Sequence, residues 1–242
     1  MTPLAIEAVT FDFWRTIAYE HPGHTLALRR DAWLGVLGAA GHAVEPDAVD
    51  DAFRAAWHTH EAAWLAGRNW GPLRASEHAC DLLELPHGPL REELAAAFID
   101  AGRGIDLPLA DGLERCLRSL GTAGVRLGIV CDVGFTSGEL LRAFLARRGL
   151  LELFHGWAFS DEVGVYKPAA AIFRHALSEL GGVEEARAAH VGDLRRTDVA
   201  GARALGMRAV RYTGIHDDPG PGEEGDHVIS HHDELPAVLG LG

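Results

Sequence analysis

The chain has 242 residues, 48% hydrophobic and 24% charged, the composition of a soluble globular protein with room for one large domain or a domain carrying an insertion. A formal net charge of −13 argues against nucleic acid or an anionic membrane surface as the main partner. It does not exclude a small anionic substrate, because one metal ion inverts the local field. No apolar run approaches the ~20 residues of a membrane span, and "MTPLAIEAVTF" at the N-terminus has neither the basic segment nor the cleavage site of a secretory leader. The three cysteines, Cys80, Cys116 and Cys131, are widely spaced. Reduced thiols in the cytoplasm are therefore expected rather than a disulfide framework.

In chain order, the first predicted strand lies in "EAVTFDF" (7–13). Its apolar run ends on a lone carboxylate, Asp12, followed by Phe13, Trp14, Arg15 and Thr16. From about 20 to 105 there is no strand-like run. This block reads as helices near 24–40, 46–66, 71–84 and 89–102, with breaks at Gly41, 67–71 and 86–89. In the second helix Phe53, Trp57, His60 and Trp64 share one face. That face reads as the block's own core, the alternative being a lid surface with His58 or His60 toward a substrate.

After 106 the pattern changes. Helical stretches at 111–124, 136–149, 168–181 and 196–206 alternate with short apolar runs at 125–131, 156–160, 187–193, 207–212 and 227–230. "HDDPGPGEEGD" (216–226) reads as an exposed loop. The pairs in "HTH" (58–60) and "SHH" (230–232) are too closely spaced to share a helical face as metal ligands. Apolar strands alternating with helices mean βαβ units and a parallel sheet buried on both faces, with right-handed crossovers. The expected fold is α/β: a doubly wound, Rossmann-like parallel sheet over 1–19 and 106–242, with a four-helix domain inserted at 20–105. The insertion's ends must lie close together, beside the carboxyl edge where open α/β sheets bind ligands.

The loops at that edge carry the chemistry. Asp12 and Thr16 follow the first strand, and Cys131 and Asp132 the second. "GVYKP" places Lys167 before a helix, and "VGDLRRTD" places Asp193 and Asp198 five residues apart. Arg195 and Arg196, within that last loop, read as solvated, the alternative being contact with a substrate. Three carboxylates and one lysine on a single edge are costly unless compensated, and a divalent cation is the simplest compensator.

This ordered set, with its helical insertion after the first motif, resembles the haloacid dehalogenase (HAD) superfamily of hydrolases over nearly the whole chain. The resemblance implies that Asp12 is the nucleophile of a phosphatase, forming an aspartyl-phosphate. It implies that Asp12, Asp193 and the carbonyl of Trp14 bind Mg²⁺, with Asp198 completing the acidic cluster. Lys167 would offset charge on the transferring group and on Asp12. Thr16 would assist at the nucleophile, and Cys131, Asp132 and Arg15 would contact a small phosphorylated, anionic substrate. No nucleic-acid or membrane partner is expected, and the protein would be a monomer or a homodimer.

Three positions depart from the pattern. The phosphatases carry a second Asp two residues after the nucleophile, which protonates the leaving oxygen; here that residue is Trp14, whose indole is no acid at neutral pH. A usual Gly is Arg15, and a usual Ser or Thr is Cys131, a weaker donor. An aromatic residue at position 14 is what the 2-haloacid dehalogenase branch shows. The metal-type pair Asp193 and Asp198 opposes that reading, as does the absence of an Arg about thirty residues after Asp12. A degenerate enzyme or a non-catalytic binding protein on the same scaffold is the third possibility.

Overall fold

A computed structural model describes residues 5–68 and 70–241. The segment searched for a leader begins in residues 1–4, and one helical break contains residue 69; both lie outside the described residues. The chain divides into two compact units. The first runs to Tyr19 and takes in Leu107–Asp132 and the chain from Leu145 onward; the second comprises Glu20–Asp106 and Val133–Phe144.

In the first unit, the described residues form a six-stranded sheet in the order β3-β2-β1-β4-β5-β6. The strands are β1 (Ala8–Phe11), β2 (Arg126–Cys131), β3 (Gly156–Phe159), β4 (Ala188–Gly192), β5 (Arg208–Tyr212) and β6 (His227–Ile229), and every pairing is parallel. The predicted doubly wound sheet is thus found, each strand inside its predicted run. The winding reverses between β1 and β4, and such a switch point opens a crevice at the carboxyl edge.

Side-chain alternation along the strands divides the core. Ala8, Val130, Ala158, Ala188 and Ala209 meet Ile172, Phe173, Ala176 and Leu177 of the helix Ala170–Glu179 in one buried cluster. Thr10 and, one step beyond β1, Asp12 share Ala8's parity and so lie on the side of that helix. On the other side His232 stacks on Tyr212 at 4.4 Å and approaches Phe11 at 6.1 Å. The segments on either side of the inserted block pair with each other: Ala18 bridges Leu109, Ala110 N–H donates to Ile17 O, and Tyr19 N–H donates to Pro108 O.

The second unit contains α1 (His24–Ala39), α2 (Pro46–Leu65), α3 (Pro72–Leu82) and α4 (Pro89–Asp100), within a residue or two of their predicted ends. Each of α2, α3 and α4 opens on a proline, whose missing N–H costs nothing in the first turn. Trp33, Phe53 and Phe98 form an edge-to-face aromatic centre, and Trp33 Nε1 donates to Leu94 O at 2.8 Å. Sequence grouping placed 133–144 with the sheet, but here Phe135 packs into this helical core. On the α2 face Phe53 and His60 are buried, while Trp57 is 38% exposed and packs on Phe135 and His60. No helix among the described residues is long and apolar enough to cross a membrane.

Candidate active site

Four predicted residues come together in the first unit: Asp12 just past β1, Lys167 before the helix Ala170–Glu179, Asp193 just past β4, and Asp198 in the π-helical turn Arg195–Val199 that leads into the short helix Ala200–Ala204. All four are buried. Lys167 Nζ donates to Asp12 Oδ1 at 2.6 Å and to Asp198 Oδ1 at 2.7 Å. One carboxylate oxygen from each of Asp12, Asp193 and Asp198 lies within 4.8 Å of the others, and among the described residues this is the one such group of three possible metal-ligating side chains.

The local chain explains how this cluster is held. Asp12 N–H donates to Val191 O, continuing the β1–β4 pairing one residue past the strand. Asp198 folds back over Gly192; a Cβ at Gly192 would lie 2.3 Å from Asp198 Cγ, so only glycine leaves room. Both Asp198 oxygens are occupied: Oδ1 by Lys167 and by His190 Nε2 at 3.0 Å, Oδ2 by Leu194 N–H at 3.0 Å.

The charge states follow from burial and these partners. Burial raises the Asp12 carboxyl, with Lys167 opposing it and Asp198 and Asp193 adding to it. Burial, then Asp198, pushes Asp193 up to about 7. Burial works against ionised Asp198 too, but Lys167 and His190 outweigh it and hold that carboxyl below the usual range. Lys167 remains charged, because Asp12 and Asp198 outweigh its burial. One cation thus serves three buried carboxylates. An all-oxygen, anionic donor set short of positive charge fits a hard divalent cation. Asp12 and Asp193 are its available side-chain donors, since Asp198 is engaged on both oxygens.

The remaining predicted positions surround this centre. Asp132 Oδ1 accepts the Lys167 backbone N–H at 2.8 Å, so this carboxylate holds the lysine loop. Cys131 is fully buried, its thiol donates to Asp132 O at 3.4 Å, and burial raises its pKa well above normal. Cys80 and Cys116 are also buried and unbridged. Trp14 packs edge-on against Phe13, ring centroids 5.2 Å apart. Arg15 is exposed and has φ +61°, a left-handed conformation that glycine adopts without strain; its charge acts on Asp193. Thr16 is fully buried, its carbonyl accepts from His232 Nε2 at 2.8 Å, and its hydroxyl has no partner among the described residues.

Three neighbours escaped the sequence reading. Thr10 Oγ1 and His190 Nδ1 lie 2.9 Å apart, both buried; a polar pair inside apolar strands was the available signal. His216 Nδ1 lies 2.8 Å from Asp193 Oδ2, yet it begins the stretch read as an exposed loop. Most of that loop is exposed, but buried Asp218 anchors it by accepting Arg195 N–H at 2.9 Å. The side chain of Arg195, read as solvated, is tied to Asp218 O and Glu224.

Residues 6–206 match the family described as haloacid dehalogenase-like hydrolase. This chain belongs to that family. Its relatives include the human haloacid dehalogenase-like hydrolase domain-containing protein 3, 29% identical over 195 residues and spanning 76% of this chain and 74% of that protein. The pyrimidine 5'-nucleotidase YjjG of Escherichia coli K12 is 30% identical over 163 residues, 67% of this chain and 68% of that enzyme. The HAD phosphatase of Thermococcus onnurineus superposes with a TM-score of 0.63 at 27% identity, covering 97% of this chain and 98% of that one. The resemblance stated from the motifs is thereby established: the protein is a HAD-superfamily hydrolase with the family's α/β fold.

Proposed function

We propose that this HAD hydrolase is a Mg²⁺-dependent phosphatase acting on a small phosphorylated metabolite through Asp12. The supporting observation is the buried centre in which one ammonium, Lys167, bridges Asp12 and Asp198 while Asp193 stands within 4.8 Å. The phosphatase relatives point the same way. Asp12 attacks phosphorus and the bond to the leaving oxygen breaks, that oxygen taking the electron pair. Water then attacks phosphorus, the bond to Asp12 breaks, and phosphate leaves with the carboxylate regenerated. Lys167 offsets charge on the transferring group and keeps Asp12 in place. Asp12, Asp193 and the Trp14 carbonyl would hold the ion, whose chemistry is charge neutralisation on the phosphoryl oxygens.

The test is phosphate release from a panel of alkyl, aryl and acyl phosphates, with Mg²⁺ or EDTA, against Asp12→Asn. Release that needs Mg²⁺ and vanishes in the variant is the expected result; no release from any compound would refute the proposal. With Trp14 where the leaving oxygen's acid would stand, substrates with good leaving groups are preferred. Installing that acid, Trp14→Asp, is expected to raise alkyl phosphate turnover about 10²-fold and to leave acyl phosphates nearly unchanged. Loss on every substrate would instead mean that Trp14 is adapted to its ligand.

Trp14 also favours a second reading, 2-haloacid dehalogenation. That reaction needs a cation for the substrate carboxylate. In the helical unit Arg29 is 1% exposed and donates to Thr25 O, Phe135 O and Thr136 Oγ1, which commits it to the protein. Halide release from 2-haloacids without metal would reverse the preference.

A further inference from the structure

The side chains behind the acidic centre form a closed circuit. It begins at Thr10, whose Oγ1 lies 2.9 Å from His190 Nδ1. It continues from His190 Nε2 to Asp198 Oδ1 at 3.0 Å, from Asp198 Oδ1 to Lys167 Nζ at 2.7 Å, and from Lys167 Nζ to Asp12 Oδ1 at 2.6 Å. Thr10 and Asp12 stand two residues apart on one side of β1, so the circuit closes through the strand itself. Register pairing sets Thr10 beside His190, and alternation puts Gly192 on the same side of β4, where its missing side chain admits Asp198. Each link is buried.

The donors can be assigned. A carboxylate only accepts, so His190 Nε2 carries the proton that goes to Asp198. In the neutral ring Nδ1 is then an acceptor, and the Thr10 hydroxyl donates to it; Ala189 O, 3.3 Å away, is the longer alternative for the same hydroxyl. Phe173 of the helix Ala170–Glu179 meets the imidazole edge-to-face at 5.0 Å, which leaves the ring little room to turn over. Asp198 therefore receives Lys167 and His190 on one oxygen, and Leu194 N–H with the more distant Thr197 hydroxyl, at 3.4 Å, on the other. These four donors define the plane of its carboxylate, and the carboxylate sets where the ammonium of Lys167 sits.

We propose that His190, oriented by Thr10, is a positioning residue that holds Asp198 so that Lys167 is delivered to Asp12. Both of its ring nitrogens are engaged, by Thr10 and by Asp198, so it acts through Asp198. This role rests on the reading of Asp12 as the reacting carboxylate, while the His190–Asp198 bond can be tested without activity. Loss of such supporting bonds typically costs about 10- to 100-fold. The effect should fall on kcat, because the displaced group is the ammonium that acts on Asp12 rather than a part of the substrate pocket.

The experiment combines ¹⁵N NMR of the histidine rings in the metal-free protein with steady-state kinetics of His190→Leu, His190→Gln and Thr10→Val. The wild-type spectrum should show His190 with Nε2 protonated, and Thr10→Val, which keeps the volume, should show a second ring species. His190→Leu should lower kcat about 10- to 100-fold with KM within about threefold. His190→Gln, whose amide N–H can reach Asp198, should restore most of the loss. An unprotonated Nε2 overturns the proposal. So does an unchanged kcat in folded His190→Leu, or an equal loss in the Leu and Gln variants at wild-type melting temperature. Should both His190 variants fail to fold, the wild-type spectrum and the kinetics of Thr10→Val decide. A wild type that releases no phosphate but keeps the protonated Nε2 would refute the phosphatase reading and, with it, the delivery of Lys167 to a reacting carboxylate, leaving only the bond to Asp198.

Discussion

Burial without charge is as informative at the level of single residues as the charged centre. His232 is fully buried, donates from Nε2 to Thr16 O, and stacks on Tyr212. Burial lowers its pKa from 6.5 to about 4. Between those values the unfolded chain binds a proton that the folded protein refuses, so stability falls as the pH drops from 6.5 toward 4. At 1.36 kcal/mol per unit, the loss from this one residue is on the order of 3 kcal/mol. Melting curves across that range should show the decline, and His232→Gln should flatten it; equal slopes would remove His232 as the cause. Neither His232 nor His190 was marked as special by its spacing. What distinguishes them is that each is buried away from solvent, where an imidazole N–H needs a fixed acceptor.

Among the elements, the junction of β4 with the π-helical turn decides most. The turn advances the chain so that Asp198 reaches back over Gly192 to His190 and Lys167, and the extra residue of a π-turn is a common device at functional sites. The Gly192 position has no slack: a Cβ there would meet Asp198 at Cγ, Cβ and Oδ1, all within 2.6 Å. Gly192→Ala is therefore expected to push Asp198 away and release Lys167. Catalytic turnover should drop at least 10²-fold, with a loss of about 1–3 kcal/mol in stability from overpacking. Turnover within threefold of wild type would show that the turn can yield. The helical ends were readable because Pro46, Pro72 and Pro89 mark the starts, but no propensity rule distinguishes a π-turn from the α-helical pattern over 196–206.

For the whole molecule, the balance of charge governs behaviour. The net charge of −13 and the three buried carboxylates near one lysine both favour an added divalent cation. An ion that binds only the folded protein stabilises it by about 2.7 kcal/mol at 100 times its Kd. For a chain of this length that corresponds to a rise of about 5 °C or more in melting temperature. Mg²⁺ should produce that rise in the wild type and much less of it in Asp193→Asn. A rise of the same size in the variant would locate the ion elsewhere.

Chain order, hydrophobic period and the spacing of polar residues at strand ends were enough to determine the six strands, the helical insertion, and the meeting of Asp12, Lys167, Asp193 and Asp198 on one edge. These are consequences of local pattern and of the rule that parallel strands end together. The tertiary structure alone decided how those groups share one another. It assigned Asp198 to Lys167 and His190 rather than leaving it free, turned Asp132 toward the lysine backbone, buried the thiol of Cys131, and brought His216 from a loop to Asp193. Such choices depend on distances of a few tenths of an ångström between residues far apart in the chain, set by packing and desolvation, and no one-dimensional pattern records them.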